Sequence, residues 1–122
     1  KGYQMTTLSR LNPGARMSEA VRIGDIVFLA GQIPNTLTAD ITVQTREVLA
    51  EMDAVMAALG GTKADIASVQ VWLSDMADFQ GMNAVWDEWV HPEHPPARAT
   101  CGVALARPGM RVEMVAVARA PE

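Results

Sequence analysis

Cysteine is nearly missing from this chain. Cys101 stands alone, which excludes an internal disulfide and suits a reducing cytoplasm. Basic charge is in deficit too: ten Lys/Arg stand against fourteen Asp/Glu, a formal charge of −4. The cations are scattered, so the positive surface that phosphate contacts demand is absent and no nucleic-acid partner is expected. No apolar run is long enough to cross a bilayer, and nothing resembles the basic start and apolar block of a signal peptide. No membrane partner is expected either. Histidine is confined to His91 and His94; prolines interrupt that segment and no third distant ligand is evident, so no metal site is expected. Gly60-Gly61 reads as a helix stop and not a phosphate cradle, because no helix start with Lys-Ser/Thr follows it.

What is present suffices for one domain. The chain has 122 residues, 49% of them apolar, enough to bury a core but not two. The expected domain spans 5–122; Lys1-Gly2-Tyr3-Gln4, ahead of Met5, reads as a cloning remnant and is left out of the fold reasoning. Eight methionines fall mostly at helical spacing and fill core space.

The spacing of apolar residues predicts the elements. Thr6–Leu11 is a first strand closed by Asn12-Pro13-Gly14. Ser18–Ile23 and Ile26–Ala30 form a hairpin around Gly24-Asp25, and Gly31 follows where the backbone has to come close to something. From Asp40 to Leu59 the period becomes helical, with Val48, Leu49, Met52, Val55 and Met56 on one face and Asp40 as N-cap. Ile66–Leu73 is a strand with Val69, Val71 and Leu73 on one side. A second helix from Asp75 to Val90 buries Phe79, Met82, Val85, Trp86 and Trp89. Two one-sided helices against a mixed sheet make a two-layer α+β sandwich. The sheet's second side still carries Val21, Ile23, Val115 and Val117, so an oligomer that covers it is expected.

The last quarter holds the odd residues. Pro95–Ala104 and Arg111–Ala118 read as two strands joined in a hairpin through Pro108-Gly109. Arg98 and Glu113 are costly in half-buried strands unless paired or used. With the turn centred on Arg107-Pro108, Gly102 faces Glu113 and the faces of Arg98 and Glu113 coincide, their Cα atoms about 13 Å apart. That span suits two groups reaching for one small ligand, with Gly102 leaving room.

Asn12-Pro13 to Ser18, Phe28-Leu29-Ala30-Gly31-Gln32-Ile33-Pro34, Pro96-Ala97-Arg98-Ala99-Thr100 and Val112-Glu113-Met114 together resemble the reactive intermediate deaminase family (Rid, also called YjgF) over nearly the whole chain. The resemblance implies a homotrimer of chorismate-mutase-like subunits, with sheets packed inward and ligand clefts between neighbours. It implies hydrolysis of 2-imino or 2-enamino acids to 2-keto acids and ammonia, without cofactor. Arg98 then matches the carboxylate-binding arginine and Glu113 the glutamate that holds a water. Gly31 and Thr100 match positions offering backbone groups to substrate, and Asn83 lies near a family asparagine. Met17 and Ala30 replace a tyrosine and a serine of the best-studied branch, which makes the pocket more apolar and points to another branch.

Plainer readings stand beside these. Arg98 also reads as an interface arginine paired with an acid, and Glu113 as an exposed edge-strand residue. Cys101 falls on the opposite face from Arg98 and reads as core filler. For the whole protein, a dedicated deaminase of one catabolic intermediate and a non-catalytic trimer that binds small carboxylates, as sensor or holdase, remain open alternatives.

Overall fold

The computed structural model describes residues 6–122; the segment 1–5, with the supposed remnant Lys1-Gly2-Tyr3-Gln4, lies outside the described residues. Three short strands come first: β1 (Leu8–Leu11), β2 (Ala20–Ile23) and β3 (Ile26–Leu29). Ile23 pairs with Ile26 across the expected two-residue turn, and Gly24 takes the positive φ of 59° that such a turn requires.

Helix α1 (Ile41–Ala58) starts where the Asp40 carboxylate accepts the Val43 N–H. It ends in a Schellman motif. Gly60, at φ 88°, donates to Ala57 O, and Gly61 donates to Met56 O. Strand β4 (Ile66–Leu73) follows, and a 3-10 turn over Met76–Asp78 leads into α2 (Phe79–Trp89). The last strands are β5 (Ala97–Gly102) and β6 (Val112–Arg119). The six strands form one mixed sheet in the order β1-β2-β3-β6-β4-β5, with only β4 and β5 parallel.

The expected α+β sandwich is present. Both helices lie on one face of the sheet, where Val48, Leu49, Met52, Val55 and Met56 of α1 and Met82 and Trp86 of α2 meet Val69, Val71, Leu73, Met114 and Ala116 in one core. Phe79 and Trp89, expected to be buried, pack against that core only partly buried. The other face keeps its apolar side chains, with Phe28 48% and Ile26 46% exposed.

The predicted C-terminal hairpin does not form, because β4 lies between β5 and β6. The chain from β4 through α2 to β5 is a crossover, and a crossover delivers its second strand parallel to the first. Pro108-Gly109 does turn, with Gly109 at φ 87°, but the turn is held by α1 and not by strand pairing. Gln44, fully buried, donates to Gly109 O at 2.8 Å and accepts the Arg111 N–H at 2.8 Å.

This arrangement also corrects the predicted faces. Arg98 pairs with Val69 and so stands on the helix side, whereas Glu113 pairs with Trp72 and stands on the other. Gly102 packs against Met76, not opposite Glu113. Glu113 lies on a strand flanked on both sides, not on an edge. Cys101 is on the face opposite Arg98 as expected, but it is exposed there and fills no core within the chain.

Candidate active site

The sheet places the candidate residues in two groups, one on each face. The first is built on an irregularity between β3 and β6. Phe28 pairs with Val117, yet Gln32 bridges Met114, so Leu29, Ala30 and Gly31 oppose only Val115 and Ala116. One extra residue on one strand is a β-bulge, which re-aims the backbone. Gln32 fixes it: its N–H donates to Met114 O at 2.7 Å, its carbonyl accepts from Met114 N at 3.1 Å, and its side chain donates to Ala30 O at 2.8 Å.

The bulge brings Gly31 directly beneath the Glu113 side chain. A β-carbon on Gly31 would collide with Glu113 Oε2 and lie 3.2 Å from its carboxyl carbon, so only glycine leaves the carboxylate this position. No described hydrogen bond engages the Gly31 N–H, and that donor stays open beside the carboxylate. Glu113 is half-buried, and burial pushes its pKa above the usual glutamate range. Both residues line an open recess of about 600 Å³ together with Met17, Ala30 and Phe28, and the loop ahead of β6 adds Arg107 and Met110. Met17, 60% exposed, and Ala30 are part of its mainly apolar wall.

The second group is on the helix side of edge strand β5. The Arg98 guanidinium carbon lies 4.9 Å from the Trp86 ring centroid, and Nη1 lies 3.9 Å from Met82 Sδ. No carboxylate among the described residues is within ion-pair distance of Arg98. Thr100 Oγ1 and Asn83 Oδ1, on β5 and α2, are buried and have no partner among the described residues. Buried polar atoms left unpaired are costly, and they mark places where a ligand or solvent completes the bonding.

Sequence reasoning missed Gln32 and Gln44. Each is polar and nearly fully buried, at 6% and 0% exposure, and each shapes the recess by pinning backbone. The signal available was weak: Gln44 follows a predicted N-cap and reads as an ordinary first-turn residue, because its partners lie 65 and 67 residues away. Among the described residues no cluster of three or more His, Cys, Asp or Glu is placed to hold a metal ion. No helix is long and apolar enough to cross a membrane.

Known proteins resemble this chain over nearly its whole length. The family profile described as Endoribonuclease L-PSP matches residues 7–120. A RutC family protein of Haemophilus influenzae is 40% identical over 113 residues, covering 92% of this chain and 97% of that protein. The RutC family protein YoaB of Escherichia coli is 37% identical over 112 residues, with 92% and 97% covered. A crystal structure of a YjgF-family member from Neisseria meningitidis superimposes with a TM-score of 0.90 at 37% identity, covering 96% of this chain and 98% of that one. The bulge at Gly31, the carboxylate above it and the unpaired guanidinium on the edge strand are therefore features of a chain that belongs to the Rid/YjgF family.

Proposed function

We propose that the protein is a homotrimeric deaminase that hydrolyses reactive 2-imino or 2-enamino acids to 2-keto acids and ammonia. The carrying observation is the split of the site across the sheet. Arg98 and Glu113 belong to opposite faces, so one chain cannot bring both to one small molecule. A neighbouring copy can, and the uncovered apolar face around Phe28 and Ile26 supplies the contact surface.

The chemistry asks for little. The guanidinium fork of Arg98 grips the planar carboxylate bidentately and fixes the C=N carbon. A water on Glu113 adds to that carbon while the carboxylate takes its proton and the nitrogen is protonated. The tetrahedral intermediate then collapses: Glu113 returns its proton to the nitrogen, the C–N bond breaks, ammonia leaves, and the hydroxyl gives its proton back to the carboxylate as it becomes the keto oxygen. Glu113's raised pKa suits a base that must also return a proton. Orientation supplies much of the acceleration, because the imine is already electrophilic.

Imine generated in situ by an amino-acid oxidase tests this. The protein should speed its decay, and Arg98→Ala should abolish the effect; undiminished activity in that variant rejects the role. Mixing Arg98→Ala with Glu113→Gln protomers should restore roughly a quarter of the clefts, since random assembly pairs an intact arginine with an intact glutamate that often. Tight binding of 2-keto acids with no turnover would instead favour a carboxylate sensor or holdase. The family's endoribonuclease description gives a further reading, which RNA cleavage retained in Arg98→Ala would support. It sits poorly with a formal charge of −4.

A further inference from the structure

The recess beside Glu113 carries a cation that the proposed reaction does not use. Its charged lining residues are Glu113 and Arg107; the walls are largely apolar, from Met17, Phe28, Ile33 and Met110. Arg107 has no carboxylate partner among the described residues, whereas Arg111, four positions on, is paired with Asp78 at 3.2 Å. Nor is Arg107 on a free loop. Its carbonyl accepts the Met110 N–H at 3.2 Å, Met110 is 3% exposed, and Gln44 holds both Gly109 and Arg111. Gly109 is further seated against Leu37, whose carbonyl would stand 2.6 Å from any β-carbon there. The turn fixes where the Arg107 side chain starts, while its exposed guanidinium is free to reach across the recess.

We infer that Arg107 is a specificity-determining residue that reads a second acidic group, so that the favoured substrates are 2-imino acids with a carboxylate side chain. This rests on the deaminase reading, in which Arg98 of a neighbouring copy takes the carboxylate next to the imine. Glu113 and Arg107 line the same recess without pairing, so the space between them suits a ligand that offers an electrophilic carbon to one and an anion to the other. Solvated against apolar walls, the same cation gives no advantage to a substrate with an alkyl side chain.

Two measurements test this. Turnover of the imines of glutamate and leucine, each generated by an oxidase, should favour the acidic one. Arg107→Ala should lower that ratio by about tenfold, as expected for loss of one charge-assisted contact. An identical ratio in both proteins overturns the proposal and leaves the deaminase reading standing. Calorimetric binding of 2-oxoglutarate against 2-oxobutyrate needs no turnover. An Arg107-dependent preference for 2-oxoglutarate supports the assignment even in a protein without imine activity, and no preference in the unsubstituted protein overturns it.

Discussion

Arg98 is held by an aromatic ring and not by an acid: its guanidinium carbon lies 4.9 Å from the Trp86 ring centroid. A ring face attracts the cation but uses none of its in-plane N–H donors, so apart from the long Nη1 contact to Met82 Sδ the fork stays free for a carboxylate. Trp86 is thereby a positioning residue. Trp86→Phe keeps a ring in the core and weakens the π face. KM and the dissociation constant of 2-oxobutyrate should rise about threefold to tenfold, for ~0.5–1.5 kcal/mol of lost attraction, with kcat little changed. In an Arg98→Ala background the same substitution should add nothing to the loss. Independent, additive losses would show that Trp86 acts through the core alone.

Glu113 predicts a pH dependence whose sign follows from burial. Desolvation raises its pKa, so the ionised base is lost at a pH above the ordinary glutamate value of about 4.3. The acid limb of kcat/KM should fall there, and Glu113→Gln should remove both the limb and most of the rate. Stability runs the other way. A carboxyl whose pKa is raised by folding contributes most below its unfolded pKa, and that contribution disappears as pH rises through the folded value. Glu113→Gln should therefore unfold at higher temperature than the parent near neutral pH, with the difference closing toward pH ~3.

Gly31→Ala separates site from fold. The new methyl would meet the end of the Glu113 side chain, a flexible group that can swing into solvent. The melting temperature should change little, while activity falls at least about a hundredfold because the base leaves its place, the scale of a lost general base. A variant that melts normally and reacts normally would show that this closeness of Glu113 and Gly31 has no catalytic meaning.

Gln44→Leu tests the anchor beneath the Arg107 turn. It would strip hydrogen-bond partners from Gly109 O and Arg111 N. Denaturant unfolding should show a loss of roughly 1–3 kcal/mol, the cost of leaving part-buried groups unpaired. A loss under about 0.5 kcal/mol would mean that water replaces the glutamine at no cost.

Local signals were legible wherever the chemistry was local. Asp40 capped its helix, Gly60-Gly61 ended it, Gly24 made its turn, and Val69, Val71 and Leu73 faced the core as their alternation required. The candidate site residues were picked out one at a time, through resemblance. Their relative placement was not. Alternation along β5 and β6 says which residues share a face within a strand, but it cannot say which strand lies between two others. The Pro108-Gly109 turn was real, and only the distant Gln44 decides that it closes a loop and not a hairpin. Placing Arg98 and Glu113 together was an error of topology made from correct strands.

The position of β6 also governs how the molecule can assemble. It follows every other strand in sequence, yet it lies between β3 and β4 and pairs Val117 with Phe28 near the far end of the chain. Until it arrives, β1–β3 and β4–β5 are two half-sheets with raw edges. Pairing Phe28 with Val117 closes a very long loop, a non-local contact of the kind that slows folding. A chain in which β6 is unpaired leaves the edges of β3 and β4 open to pairing with other chains, and Glu113 then has no fixed place above Gly31.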